Sequence, residues 1–228
     1  MILITTYYKP KNKEREEEIN RCLLKNYHNK YIEKIYLLND KIYDICINNS
    51  DKKIEQIIVS NDENYKLTYY DSIKFINEKL RNRICILSNS DIYFNNSLSK
   101  INNENINNSF MALLRYNEDK DYRKNLFKRY DEARDDSQDC WIFKSPLNIN
   151  IDNLTFSFGT LGCDSIFASY VAMDSDLNII NPCYDIITTH VHNTEYRTYS
   201  LDDRIHGKYC LIKACNLGEF KQISFIDF

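Results

Sequence analysis

The segment Arg83-Ile-Cys-Ile-Leu-Ser-Asn-Ser-Asp-Ile-Tyr-Phe94 joins an apolar run directly to a polar cluster that contains Asn89 and Asp91. The apolar half predicts a buried strand, and the polar residues lie where that strand ends. In open α/β sheets, ligands bind beside the carboxyl ends of the strands. An Asn-x-Asp pair there offers oxygen atoms to a divalent cation and a diphosphate. The same residue types are also favoured at plain strand-to-turn endings, so other segments must decide.

Alternating strand and helix patterns surround this segment. On its N-terminal side, strands are predicted at 1–8, 34–40 and 53–60, and helices at 13–24 and 70–80. On its C-terminal side, strands are predicted at 110–116, 178–183 and 186–192, and a helix at 165–174. A further structured stretch is expected at 137–143. This alternation indicates an α/β fold with a mostly parallel central sheet flanked by helices. The charged segment 117–136 shows no apolar periodicity and is predicted to be a mobile loop.

Composition excludes several classes of protein. With 43% hydrophobic and 13% aromatic residues, the 228-residue chain can build a substantial core. The formal net charge is −3 and no long basic block is present, which argues against a nucleic-acid partner. No apolar segment approaches the roughly 20 residues of a membrane span, and the N-terminus lacks a signal-peptide pattern. We therefore expect a cytoplasmic protein without a membrane span.

The eight cysteines are scattered through the chain and form no Cys-x-x-Cys pair. Several lie inside apolar runs, so we expect reduced core thiols in a reducing compartment. A zinc site built from cysteines is not expected.

Glycine-rich phosphate loops are absent, because the first glycine of the chain is Gly159. This excludes dinucleotide enzymes and P-loop ATPases. A diphosphate would then be held by side chains and a metal ion, at Asn89 and Asp91. His190 and His192 are alternate residues of a predicted strand and share one face. If Asp91 and one of these histidines meet at the sheet edge, they would suit Mn²⁺ or Mg²⁺ better than zinc. Alternatively, one histidine ends the strand and the other is solvated.

Three further residues are candidates for contact with a substrate. Asp164 precedes a predicted helix, so it is either a helix N-cap or a carboxylate base beside the small Gly162. Asp139 and Trp141 come earlier in the chain. A tryptophan beside acidic residues can stack on a sugar ring, but Trp141 is followed by two apolar residues and is equally suited to the core.

Six short motifs follow one another along residues 1–200: Ile4-Thr-Thr-Tyr-Tyr8, Leu37-Leu-Asn-Asp40, Leu87-Ser-Asn-Ser-Asp-Ile-Tyr-Phe94, Ser137-Gln-Asp-Cys-Trp-Ile-Phe143, Leu161-Gly-Cys-Asp164 and His190-Val-His192. In this order they resemble the compact GT-A glycosyltransferases of the nucleotide-diphospho-sugar transferase superfamily. The resemblance implies a single GT-A (Rossmann-like) domain over residues 1–228. Its parts would be a nucleotide-binding half at 1–100, an acceptor and catalytic half at 101–200, and a C-terminal tail at 201–228.

The resemblance also implies roles for individual residues. The nucleotide would contact the first strand and the end of the second, at Thr5, Thr6, Tyr7 and Asp40. The Asp-x-Asp motif that binds a metal and the sugar diphosphate would fall on Asn89 and Asp91, with Asn89 in place of the first aspartate. A late histidine, His190 or His192, would complete the metal site. Asp164 would be the base that activates the acceptor, with Asp139 and Trp141 near the sugar.

The expected function is a Mn²⁺- or Mg²⁺-dependent transfer of a sugar from a nucleotide sugar, in the first instance a UDP sugar, to a hydroxyl of a glycan or protein. Two alternatives remain open. A sugar-phosphate nucleotidyltransferase could share the sheet, but the glycine-rich N-terminal loop of such enzymes is missing. A catalytically silent protein that binds carbohydrate or nucleotide would keep the fold without the reaction.

Overall fold

The computed structural model describes residues 1–62, 64–194 and 201–228. In this part of the chain the strands are β1 (Ile2–Thr5), β2 (Lys34–Asn39), β3 (Ile54–Ile58), β4 (Ile84–Ser88), β5 (Ile92–Phe94), β6 (Ser109–Leu113), β7 (Tyr116–Glu118), β8 (Lys124–Leu126), β9 (Lys128–Arg129), β10 (Glu132–Ala133), β11 (Cys140–Lys144), β12 (Asn178–Ile180), β13 (Thr188–His190), β14 (Lys208–Leu211) and β15 (Ser224–Asp227). The helices are α1 (Lys13–His28), α2 (Tyr69–Lys79), α3 (Asn103–Ile106) and α4 (Cys163–Asp174), with 3₁₀ turns at Asn96–Lys100 and Leu201–Asp203.

The central sheet has seven strands in the order β12-β6-β11-β4-β1-β2-β3. Strands β3, β2, β1 and β4 are mutually parallel, and β12 is parallel to β6. Strand β11 runs antiparallel to both β4 and β6, its neighbours on either side. The predicted α/β fold with a mostly parallel central sheet is therefore confirmed, with one reversed strand near its middle.

The two faces of this sheet bury separate apolar clusters. Residues alternate between the faces: Ile2 and Ile4 of β1 lie in one cluster and Leu3 in the other. Helices α2 and α4 cover the first face, and α1 covers the second. A strand buried on both faces reads as a continuous apolar run, which is why the sequence identified these strands readily.

The helices match their sequence patterns closely, with one extension. Asn12 caps α1 by accepting a hydrogen bond from the backbone N–H of Arg15 at 3.0 Å, and Thr68 caps α2 in the same way. Helix α1 continues past its predicted end at residue 24 because Asn26, in its last turn, bonds the backbone of Ile92 and Phe94. No helix among the described residues is long and apolar enough to cross a membrane.

The segment 117–136, predicted to be a mobile loop, contains short strands that the sequence analysis did not predict. Part of this segment joins a four-stranded sheet of order β5-β13-β7-β8, and β9 pairs with β10. The β7–β8 turn is held by Asp119, whose carboxylate accepts the backbone N–H groups of Asp121 and Arg123 at 2.9 and 3.0 Å. Such local polar bonds leave no apolar periodicity in the sequence.

All eight cysteines are free thiols, and seven of them are buried. Burial raises the pKa of these buried thiols, for example that of Cys163 to about 12. Cys46 is exposed and is the exception to the predicted set of core thiols.

Residues 201–228, expected to be a tail, include the hairpin β14–β15, which packs against α4. Tyr209 of β14 is buried and donates a hydrogen bond to the carbonyl of Ile205 at 2.8 Å. Its ring lies against Gly162, the N-cap of α4, which has a φ of +87°. A Cβ atom at Gly162 would overlap the Tyr209 phenol group, so glycine is required there both by backbone conformation and by space.

We predict that Gly162→Ala lowers the free energy of unfolding more than Gly159→Ala does. Gly159 also has a positive φ, +74°, but a Cβ there would meet no atom within 4 Å. Each alanine costs about 1–2 kcal/mol for the left-handed backbone, and Gly162→Ala adds about 1–3 kcal/mol for the displaced Tyr209 ring. Urea unfolding of both variants measures the difference, and equal losses would contradict the predicted contact.

Candidate functional site

A cleft of about 1690 Å³ opens along the edge of the sheet where β1, β2, β4 and β6 end. Its lining includes the residues that follow these strands, namely Thr6, Asp40, Asn89, Asp91 and Arg115. The reversed strand β11 begins at this same edge, so the segment before it also reaches the cleft. The carboxyl-end rule for α/β sheets therefore located the cleft correctly.

Asp91, His190 and His192 come together at one side of the cleft. The Nε2 atom of His190 lies 3.1 Å from Asp91 Oδ2, and the Nδ1 atom of His192 lies 3.9 Å from the same oxygen. One ligand atom from each residue lies within 4.8 Å of the others. The short β13 pairs with β5, which brings the histidines beside the residue that precedes β5. The structure therefore brings both histidines beside Asp91, where one was expected, and their binding of a metal stays a prediction.

These residues fit a divalent cation. Asp91 Oδ1 is buried, and no described residue gives it a hydrogen bond. Asn117 Oδ1 accepts a hydrogen bond from Arg115 Nε at 3.0 Å and lies 3.3 Å from His190 Nδ1, so Nδ1 is the nitrogen that donates. This contact fixes the ring so that Nε2 is directed at Asp91, the orientation that an outer hydrogen bond imposes on metal-binding histidines.

Arg15 and Glu18 of α1 complete this side of the cleft, and both are buried. Arg15 donates through Nη2 to Asp91 Oδ2, and through Nη1 to Glu18 Oε2 at 2.9 Å and the Val191 carbonyl at 3.1 Å. Burial by itself would raise the pKa of Asp91. The charges and hydrogen bonds of His190 and Arg15 instead hold it well below its usual range, so the carboxylate is ionised.

Asp139 holds a second charged cluster in the cleft. Both of its carboxylate oxygens accept from Arg115 Nη1, at 2.9 and 2.7 Å. The side-chain amide of Asn89 donates to Asp139 Oδ1 at 3.2 Å. Asn89 therefore contacts Asp139, while Asp91 pairs with Arg15 and the histidines.

Asp164 lies in the first turn of α4, two residues after the Gly162 cap, so the N-cap alternative for Asp164 is wrong. Its carboxylate accepts the backbone N–H of Gln138 at 2.8 Å and lines the cleft. Burial, together with the nearby charge of Asp139, raises the pKa of Asp164 to about 6. A carboxyl group with that pKa can exchange a proton with a substrate near neutral pH.

The residues expected to contact a nucleotide divide into two groups. Thr6 and Asp40 line the cleft, whereas Thr5 and Tyr7 are buried beside it. Asn39 links the two strand ends, because its Oδ1 accepts from the Tyr7 backbone at 2.8 Å and from the Thr6 hydroxyl at 3.3 Å. Thr5 and Tyr7 therefore support the end of β1 and do not line the cleft.

Trp141 has no exposed surface and packs in the core between Tyr69 and Phe167. The prediction that Trp141 binds a sugar is therefore wrong, because its ring has no free face. Trp141 follows the cleft segment by two residues and points to the opposite side of β11 from Ile142.

Several residues of the cleft were missed by sequence reasoning. Arg15 and Glu18 belong to a run of charged residues that reads as a solvated helix face, and nothing in the single sequence marks them as buried. Arg115 lies at the end of the predicted strand at 110–116 and Asn117 follows it, much as Asn89 and Asp91 follow theirs. The same strand-end argument could have identified that second pair.

No protein-family model matches this sequence, and no curated protein matches it. Among solved structures the chain is similar to S. aureus TarS 1–349 in complex with UDP-GlcNAc. The TM-score is 0.52 at 11% identity, over 87% of this chain and 61% of that chain. Two further S. aureus TarS structures, full-length TarS and TarS 1–349, have TM-scores of 0.45 and 0.43 at 13% and 14% identity. Each covers 89% of this chain, and this chain covers 37% and 60% of theirs.

The TarS 1–349 complex is the comparison that bears on the fold. The chain spans less than two thirds of its length. At this identity the similarity shows the fold, which is glycosyltransferase-like. The narrower assignment to the GT-A class stays a prediction.

We predict that the protein binds Mn²⁺ in the absence of any nucleotide, and that His192→Ala weakens this binding about tenfold or more by removing a nitrogen ligand. Isothermal titration of the apoprotein with MnCl₂ measures the affinity. His28→Ala is the matched control, because His28 is exposed at the end of α1 and lies outside the triad. Equal weakening in both variants would contradict a site at Asp91.

Proposed function

We propose that this chain is a metal-assisted glycosyltransferase, which moves a sugar from a UDP sugar to a hydroxyl of a glycan or protein acceptor. The observation that carries the proposal is that a metal-binding triad and a carboxyl group of raised pKa line one cleft. The guanidinium of Arg115 interacts electrostatically with both the triad and Asp164. Burial alone would lower the pKa of Arg115, but the charges of Asp139, Asp91 and Asp164 raise it above its ordinary value.

The donor diphosphate would bind beside the triad. Asp91, His190 and His192 would hold Mn²⁺ or Mg²⁺ as mixed oxygen and nitrogen ligands. When bound, such a cation offsets the negative charge that develops on the diphosphate leaving group. Arg115 keeps the neighbouring histidine in the metal-binding tautomer through Asn117.

The nucleoside would bind at the ends of β1 and β2. Thr6 and Asp40 face the cleft there, and Asp40 accepts a hydrogen bond from the Tyr43 hydroxyl at 2.8 Å. The similar TarS structure is a complex with UDP-GlcNAc, which supports a UDP sugar as the first donor to test. The lack of a glycine-rich loop also fits a diphosphate held by a metal and side chains.

Asp164 would accept the proton of the acceptor hydroxyl. Its carboxylate is positioned by the Gln138 N–H and lines the cleft. Asp139 is less suited to this role, since Arg115 engages both of its oxygens. A carboxylate is a sufficient base, because the acceptor loses its proton late in transfer, as the donor bond breaks.

The proposal is tested with a panel of nucleotide sugars and Mn²⁺. A donor at 100 times its Kd should add about 2.7 kcal/mol to the free energy of unfolding, and released UDP should accumulate when an acceptor is present. With EDTA in place of Mn²⁺, both effects should decrease. Binding of UDP without any transfer or hydrolysis would favour the silent binding protein, and no response to any nucleotide sugar would reject the proposal.

We predict that the transfer rate rises with pH around 6, because the ionised form of Asp164 is the base and its pKa is about 6. Asp164→Asn should lower the rate about 10²–10⁴-fold and remove this rise. Its amide oxygen can still accept the Gln138 N–H, so UDP binding and thermal stability should change little.

Transfer rates from pH 5 to pH 8 measure both effects. Asp176→Asn is the control, since Asp176 is exposed beyond the end of α4. An Asp164→Asn enzyme with the wild-type rate would show that the base lies elsewhere.

A further inference from the structure

We propose that Arg15 is a built-in counter-cation, which competes with the divalent ion for Asp91 and thereby sets the metal affinity of the triad. The proposal rests on the metal role given to Asp91 above. It concerns a residue of α1 that the sequence analysis did not single out, and it assigns that residue to the metal centre.

The first step of the argument is the fixed position of the guanidinium. Arg15 is 6% exposed. It reaches acceptors on three separate segments: the Asp91 carboxylate after β4, Glu18 in its own helix, and the Val191 carbonyl between the two histidines. A buried cation held by three acceptors cannot leave without losing all of them, so its charge stays beside Asp91.

The second step is that the two carboxylate oxygens of Asp91 have different contacts. Oδ2 is shared, because it accepts from Arg15 and lies 3.1 Å from His190 Nε2. Oδ1 is buried and has no hydrogen-bond partner among the described residues. A cation can therefore bind the carboxylate while Arg15 remains, but it must share that carboxylate with a second positive charge in a poorly solvated place.

The third step is the net charge of the cluster. Asp91 and Glu18 each contribute −1 and Arg15 contributes +1, so with both histidines neutral the centre carries −1. Without Arg15 it would carry −2, and without the Glu18 charge it would carry 0. Because divalent cations bind more tightly as ligand charge increases, the two changes should shift metal affinity in opposite directions.

Glu18 also connects this charge balance to the histidines. Its Oε1 accepts the backbone N–H groups of Asn193 and Thr194, at 2.6 and 3.1 Å. Glu18→Gln keeps an oxygen for these bonds, and it removes the charge together with the acceptor of the Arg15 hydrogen bond, because an amide nitrogen in place of Oε2 cannot accept. It is therefore a cleaner test than Glu18→Ala, which would also release the segment that follows His192.

The experiment titrates metal-free protein with MnCl₂ alone, by calorimetry, for Arg15→Met, Arg15→Lys and Glu18→Gln. Arg15→Met should tighten Mn²⁺ binding about tenfold or more, since a competing charge is lost while side-chain bulk is kept. Arg15→Lys retains the charge and should stay near the wild-type affinity. Glu18→Gln should weaken binding. Arg21→Met is the matched control, because Arg21 belongs to the same helix but pairs with Glu118. The Mn²⁺ affinity of this variant should equal that of the wild type.

Weaker or unchanged Mn²⁺ binding in Arg15→Met would overturn the inference, and would make Arg15 a residue that positions Asp91. Wild-type binding with no difference among variants would refute the inference and leave the proposed function standing. Binding by Arg15→Met but not by the wild type would support the inference and reject metal use by the natural protein. If neither the wild type nor Arg15→Met binds Mn²⁺, both the inference and the proposed metal role of the triad are rejected. Circular dichroism and melting without metal establish folding, and if Arg15→Met is unfolded, an unchanged affinity in Glu18→Gln refutes the inference.

Discussion

The buried ion pair between Arg15 and Asp91 joins three parts of the chain that are distant in sequence. Asp91 follows the central strand β4, Arg15 lies in the first turn of α1, and the carbonyl of Val191 beside β13 completes the contact. Both charges have left water, so each depends on the other for its stability. The two histidines, the β5-β13-β7-β8 sheet and the mouth of the cleft all lie close to this pair.

The elements that the sequence predicted well are those with a strong local signal. Strands β1, β4 and β6 are apolar on both faces, and α2 carries one apolar face and a threonine cap. Their bounds differ from the prediction by a few residues. The strand-end rule then placed Asp91 at the edge where the cleft opens, because it depends only on where an apolar run stops.

The parts that were missed depend on contacts between distant segments. Helix α1 extends to His28 because Asn26 bonds the backbone around β5, which no local pattern reveals. Arg15 and Glu18 look like surface charges until α1 is placed over β5 and β13. Trp141 shows the converse error: a residue two positions from the cleft was assigned to it, although strand alternation carried the ring into the core. The hairpin β14–β15 was expected to be a tail, although Tyr209 and Cys210 of β14 are buried where this strand packs against α4.

Because β11 runs in the reverse direction, the segment before it lies at the cleft edge of the sheet and the segment after it lies at the opposite edge. The first residues of β11 adjoin the end of β4 and deliver Gln138 and Asp139 to the cleft, whereas Lys144 adjoins the start of β4 at the opposite edge. The exposed turn at Asp152 and Asn153 follows on that far side, where Asn150 bonds Asp174 at the end of α4. A fluorophore, an affinity tag or a surface linkage attached at this turn would therefore leave the cleft open to solvent. Immobilised protein held there would present the edge that carries the cleft outward.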